Sequence, residues 1–413
     1  MDRLLLNAAV IDGNGRLRER GAVLVQDGTI ADVGASGEME RRANQAEVVD
    51  LAGLTLMPGL IDTHVHLAGG DFVPHRENEP VGLAALRSAE AARRTLQAGI
   101  TTVRVSGSRD FLDIDLRNAI NEGLVEGPRV LASGRGITTT GGHYHNWCAM
   151  EADGLDAMRR AVRQHIKRGA DSIKLMLSPG IATEGAEVNS EQFSLEEVQI
   201  AVYEAHKVGR PVQSHAIGAG GIHNGVMAGV DSIDHGHYLD EEHAVRMKQN
   251  GIYFVPTFAP THYYIVERTA EPWRIARAEG AEPHHDRAFK LALEVGVPIA
   301  MGCDCGAQSR MPNGANALEL ELMVKHGMPP MDALVAATRE AARLLRIDQK
   351  VGTLEPGKLA DLLVVDGNPV DDIACLQRHV RAVIQAGVVR RDDIGLFAGP
   401  RRAPLYPDGH SAP

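Results

Sequence analysis

The chain has 413 residues, of which 44% are hydrophobic and 23% charged, ordinary values for a globular protein large enough for one big domain and a smaller one. A formal net charge of -11 argues against nucleic acid as a partner, though it permits a cationic substrate. No apolar run approaches the length of a membrane span, and Met1-Asp2-Arg3-Leu4-Leu5-Leu6-Asn7 is too short to read as a signal peptide. Neither membrane nor nucleic acid is therefore expected as a partner. Aromatic residues make up only 4%, so the core must be mainly aliphatic. Cys148, Cys303, Cys305 and Cys375 are too few for a disulfide framework, which points to a reducing, cytoplasmic setting.

From about Leu4 to Leu56 the chain reads as a meander of short strands. Turns fall at Asp12-Gly13 and Asp27-Gly28, and the runs Ala22–Val25 and Ala31–Val33 flank the second turn. The tail repeats the pattern at 358–367, and Val380 to Val389 reads as one further strand. Neither end has enough strands to bury a face alone. Together, 1–56 and 351–413 are expected to form one small β-sandwich, leaving 57–350 as a second unit.

Met57-Pro58-Gly59 opens that second unit, and the first strand ends in His64-Val65-His66. A loop from Ala68 to Pro80 and a helix over Leu83 to Ala98 follow. Strands then read at Ile100–Val105 and Arg129–Gly134, the latter followed by a loop carrying Gly141-Gly142-His143. A helix over Leu155–Arg168 leads to the strand Ser172–Leu177, with Lys174 in its middle. Ser194 and Glu197 form a capping box for a helix running to about Val208. Three more strands read at Val212–Ala216, Ser232–Gly236 and Gly251–Thr257, the last followed by a long aromatic loop containing His262-Tyr263-Tyr264. An eighth runs from Pro298 to Asp304, with helical segments near His284–Glu294, Ala315–His326 and Met331–Leu345. Strands alternating with helices specify a parallel α/β architecture.

Side chains alternate along a strand, so His64 and His66 share a face. Two imidazoles there can hold one divalent cation, or can simply be polar residues at a strand mouth. Lys174, His215, His235 and Asp304 also lie in or at the ends of strand-like runs, and a parallel barrel carries its site at the C-terminal ends of its strands. A free ammonium is costly in the apolar run around Lys174, unless the side chain snorkels outward. Asp304 could be a turn residue, given Gly306. Cys303 and Cys305 flank Asp304; if Asp304 points into the barrel, both point outward and read as small core residues, and no second cysteine pair completes a thiolate site.

On these residues the chain resembles the amidohydrolase superfamily, over nearly its whole length. The resemblance implies closure into a (β/α)8 TIM barrel, with the small sandwich assembled from both termini. It implies two divalent metal ions, zinc by expectation, held by His64, His66, Lys174, His215, His235 and Asp304. An ammonium has no lone pair, so the family carbamylates this lysine into a bridging carboxylate; carbamylated Lys174 is expected here. Asp304 is then the general base on a metal-bridging water and later passes the proton to the leaving amine. Relatives are often multimeric, so a homo-oligomer is implied as well.

Within the superfamily the likeness is to dipeptidases and carboxypeptidases that release a C-terminal proline or cationic residue, a group related to the imidazolone hydrolases. It lies in Ile173-Lys174-Leu175-Met176, Gly141-Gly142-His143 and His235-Gly236-His237-Tyr238. His143 and Tyr238 match residues that contact the scissile carbonyl, where neutral donors stabilise an oxyanion. The alternatives are a loop histidine and an aromatic packed over the rim. Ser178-Pro179-Gly180 and Cys303 depart from the family pattern beside the site. His75, His145, His262, His284 and His285 are left without a role. One rival is a hydrolase of another amide, an aryl urea, a carbamate or an amide-linked toxin. Ring-opening imidazolone hydrolysis fits less well, because it uses one metal and does not need Lys174. A non-catalytic assembly protein is disfavoured because every expected ligand is kept.

Overall fold

The computed structural model describes residues 2–42, 46–67, 79–307 and 311–397. The strands are β1 (Arg3–Ile11), β2 (Leu17–Gln26), β3 (Thr29–Ala35), β4 (Glu47–Asp50), β5 (Thr55–Pro58), β6 (Leu60–Val65), β7 (Ile100–Val105), β8 (Arg129–Leu131), β9 (Gly136–Thr138), β10 (Ala149–Glu151), β11 (Ile173–Met176), β12 (Val212–Ala216), β13 (Ser232–His235), β14 (Tyr253–Val255), β15 (Leu362–Val365), β16 (Val380–Gln385) and β17 (Val388–Asp392).

Strands from both chain ends form one hydrogen-bonded sheet in the order β17-β16-β15-β5-β1-β2-β3, with β4 also on β1. The Asp27-Gly28 turn has positive φ at both residues, +47° and +78°, the twist that suits a two-residue hairpin. The stretch Val380 to Val389, expected as one strand, is a second such hairpin: Ala386 and Gly387 turn with φ of +48° and +76° between β16 and β17. Ile30 N donates to Lys358 O and Gly357 N to Ile30 O, so the sheet's far edge curls back on the tail. It encloses an aliphatic core that includes Leu5, Val23, Leu56, Leu362 and Ile384.

The central unit is a closed parallel barrel. β6, β7 and β8 pair in one run and β11 to β14 in another. Asp171 N and Ser172 N donate to Ala132 O, joining β8 to β11. The eighth strand is made by 298–305. It bridges β14 at Phe254–Ile299 and β6 at Val65–Cys305, and Asp304 N donates to His64 O. Its Met301 N donates to Ala336 O, a carbonyl within the π-helical turn Ala336–Glu340 that joins Pro330–Val335 to Ala341–Leu344. β6, β7, β11, β12 and β13 are buried along their whole length, as strands covered on both faces must be.

Two connections differ from expectation. The aromatic stretch after β14 is a helix, Phe258–Glu267, because the buried Glu319 carboxylate accepts from Phe258 N and Ala259 N and caps its start. The following helix spans Pro272–Val295 and continues through Pro283, where a proline would be read as a start or a break. The loop after β8 also contributes β9 and β10, which extend the β11 side of the sheet. The Ser194–Glu197 capping box is present, with both reciprocal bonds. Among the described residues, no helix is long and apolar enough to cross a membrane. All four cysteines are buried, Cys303 and Cys305 among them.

Candidate metal and active site

The barrel's C-terminal mouth holds a cleft lined by His64, His66, His143, Lys174, His215, His235 and Asp304 among others. Strand order explains the convergence. β6 and the eighth strand are neighbours, so His64 Nε2 and His66 Nε2 lie 3.5 and 3.2 Å from Asp304 Oδ1. These three side chains can offer ligand atoms within 4.8 Å of one another, which suits a metal ion. β12 and β13 are also neighbours, and they bring the rings of His215 and His235 to 4.4 Å, with His235 5.0 Å from His64. Lys174 reaches the same space from β11 and is 1% exposed, so it does not snorkel outward.

Two of the strand ends are bent to do this. His235 and Asp304 adopt φ of +76° and +60°, a region costly for residues with a Cβ and characteristic of functional sites. Beside them the backbone is crowded: a Cβ on Gly306 would strike the His66 carbonyl, and one on Gly180 would enter the His143 ring.

The imidazoles share one orientation. His64 Nδ1 donates to Asp234 Oδ2 at 2.9 Å, and His66 Nδ1 to Gly107 O at 3.0 Å. His235 Nδ1 lies 2.6 Å from Thr257 Oγ1, whose own hydrogen goes to Pro256 O, so Nδ1 is the donor. His215 bonds the Pro179 backbone, and its buried Nε2 has no partner. In each ring the Nδ1 side is engaged and Nε2 is left with its lone pair for the cleft. Burial holds three of these histidines neutral: His64 falls to about 4, helped by Lys174, while His215 and His235 lie well below the usual range. Burial opposes ionisation of Asp304, but His64, His66 and Lys174 outweigh it and hold the carboxyl below its ordinary value. Its Oδ1 is buried without a satisfying hydrogen bond. Buried imidazoles that turn Nε2 toward an orphaned carboxylate oxygen fit a divalent cation.

His143 is buried above this group, its ring stacked 4.2 Å from His215, and Thr183 Oγ1 lies 2.7 Å from its Nδ1. Burial lowers it to about 3. Tyr238 is not brought into the cleft. Its ring lies 4.4 Å from His284 and packs with the apolar cluster that includes Ile181, Ile217 and Tyr264. The backbone turn after β13 aims His237 at the cleft instead, stacked 3.9 Å on the fully buried His285. His262 lines a separate small cavity, His145 bonds the Gly142 carbonyl, and His75 lies outside the described residues.

Sequence reasoning missed Asp234 and Arg104. Asp234 accepts from His64, Lys174, Arg104 and Ser232 at once. A signal existed: Arg104 is a charge inside an apolar strand run, the pattern that singled out Lys174.

A model of the amidohydrolase family matches residues 55–390, most of the chain. This chain belongs to the amidohydrolase family. Ochratoxinase of Aspergillus niger is 30% identical over 97% of this chain and 88% of its own length. A solved Xaa-Pro dipeptidase with methionine bound in its active site is 34% identical, covering 94% of this chain and 99% of that one, with a TM-score of 0.84. A solved prolidase in complex with N-methylphosphonate-L-proline is 28% identical over 95% of this chain and all of its own, at a TM-score of 0.86. As an amidohydrolase, this protein is a hydrolase of amide bonds acting on small molecules, with the TIM-barrel fold of its relatives.

Proposed function

We propose that this amidohydrolase cleaves dipeptides or N-acyl amino acids and releases the C-terminal amino acid, with proline, arginine or lysine as the leading candidates. The observation that carries the reading is the convergence of four histidines, each with Nδ1 engaged and Nε2 turned to the cleft, with Asp304 and Lys174 at the barrel mouth. His64, His66 and Asp304 would hold one zinc ion, and His215 and His235 a second, with carbamylated Lys174 between them. When bound, the pair supplies an ionised water and polarises the carbonyl. Asp304, a carboxylate within 3.5 Å of both β6 histidines, would take a proton from the attacking water and return it to the leaving nitrogen. Thr183 Oγ1 accepts from Gly180 N and can give its hydrogen to His143 Nδ1, which leaves His143 Nε2–H as a donor to the carbonyl oxygen. Tyr238 would join only by turning from His284. Ile181, Ile217, Pro260 and Tyr264 give the cleft an apolar wall.

The relatives support this class of substrate: two solved structures with close folds are named for cleavage at proline. A second reading, hydrolysis of another amide, is favoured by the likeness to ochratoxinase; aryl ureas and carbamates stay within the same chemistry. The test is a panel of dipeptides and N-acyl amino acids, varied at the C-terminal residue and offered to zinc-loaded protein before and after chelation. Release of free amino acid that stops on chelation and returns with zinc supports the proposal. Release from none of them, with turnover of ureas or carbamates, overturns it.

A further inference from the structure

Beneath the cleft the barrel holds a buried ion pair that the proposed chemistry does not use. Arg104, on β7, is among the largest side chains with no meaningful exposure, and Asp234, on β13, is fully buried. Arg104 donates from Nε to Thr63 O at 2.6 Å and from Nη2 to Ser232 Oγ and Asp234 Oδ1, at 3.2 and 3.4 Å. It therefore ties β6 to β13 across the interior. Ser232 Oγ also donates to Asp234 Oδ1, at 2.7 Å. The other carboxylate oxygen, Oδ2, faces the site: it accepts from His64 Nδ1 at 2.9 Å and Lys174 Nζ at 3.3 Å.

We propose that Asp234, held by Arg104, is the positioning residue that fixes the His64 tautomer and sets the Lys174 side chain beneath the metal cluster. The inference rests on the reading of His64 and Lys174 as ligands. A carboxylate at Nδ1 obliges that nitrogen to carry the ring hydrogen, and only then is His64 Nε2 a lone-pair donor toward the cleft. Arg104 has a separate task. A buried carboxylate needs a standing cation. Lys174 stops being one when it is carbamylated, whereas a guanidinium stays charged. Arg104 and Asp234 are thus a matched pair whose members fail singly.

The geometry makes a specific prediction for the isosteric amide. Asn at 234 has one acceptor oxygen and one NH2. With Arg104 in place, the oxygen is drawn to the guanidinium and the NH2 is turned on His64 Nδ1, which imposes the wrong tautomer. With Arg104 replaced by Met, the amide can turn its oxygen back to His64 and its NH2 to Ser232. Zinc affinity at buffered free zinc, with bound zinc counted by mass spectrometry and the fold checked by melting, separates the cases. Asp234→Ala, Asp234→Asn and Arg104→Met should each weaken zinc binding by about 10–100-fold, as for other groups that orient ligands. The double variant Arg104→Met/Asp234→Asn should bind more tightly than either single one, a recovery that a merely structural role would not produce. His64→Asn is the control for the ligand reading. If it loses zinc while Asp234→Ala and Arg104→Met bind like the parent, the positioning role is overturned and the ligand reading stands. A double variant no tighter than the weaker single one also overturns it. If His64→Asn itself binds zinc normally, both fall.

Discussion

The barrel interior and the core of the terminal sheet are built on opposite rules. The sheet's core, which includes Leu5, Val23, Leu56, Leu362, Val364 and Ile384, is aliphatic apart from Phe397 among the described residues. The barrel's interior instead buries Asp62, Arg104, Lys174, Asp234 and Asp304, none more than 7% exposed. A charge removed from water is tolerated only with partners, and removing one partner strands the other. The sheet can therefore contribute stability through area alone, whereas the barrel must hold its charges in a fixed pattern. What the barrel loses in easy packing it gains as a site whose groups are already oriented.

The largest effect should come from breaking the barrel's pattern at the reacting groups. Lys174→Ala or Asp304→Asn should lower turnover by on the order of 10³-fold or more, with circular dichroism and melting showing a retained fold. Parent-like rates in either variant would remove the mechanism. The converse break is Leu362→Ala in the terminal sheet. Leu362 is fully buried there, so its loss should cost about 2–4 kcal/mol in denaturant unfolding. Per folded molecule, turnover should not change; a matching fall in kcat would mean that the two regions are coupled.

A third measurement sharpens the contrast through pH. Asp113 is fully buried at the start of helix Leu112–Asn121 and accepts from Ser133 N and Gly134 N, both at 2.8 Å. Burial raises it to about 7 from its ordinary 3.8, against those hydrogen bonds. The folded state therefore holds a proton that the unfolded chain gives up earlier. The stability from this group is complete below about pH 4 and is lost as pH rises through 7, at on the order of 1 kcal/mol per unit. Melting of the parent against Asp113→Asn across pH 4–8 should show the parent losing ground as pH rises; a constant gap would refute the buried-acid reading. The smallest effect is at the surface. Ser194→Ala removes one half of the capping box and should cost about 1 kcal/mol, with zinc binding unchanged.

Much of the candidate site was legible because the side chains that meet there sit on strands. An apolar run marks a buried parallel strand, and a polar residue at its C-terminal end faces the mouth whatever the helices between do. His64, His66, Lys174, His215, His235 and Asp304 were readable in this way. Tyr238 was not, because it lies past the strand end, where the turn at Gly236 (φ +57°) decides which of two neighbours, His237 or Tyr238, enters the cleft. The helix at Phe258–Glu267 was hidden for another reason: its cap, Glu319, comes from 61 residues further along the chain.

By itself the sequence determined the alternation of strand and helix, the split of the small sheet between the two termini, and the chemical kinds of group at the barrel mouth. These depend on local period and on residue type, which a linear text carries. Only the tertiary structure decided that Asp234 stands under His64 and Lys174, that Arg104 spans from β6 to β13, and that four imidazoles turn the same nitrogen inward. Such pairings are set by which strands face one another across a closed barrel, and that proximity has no trace in spacing along the chain.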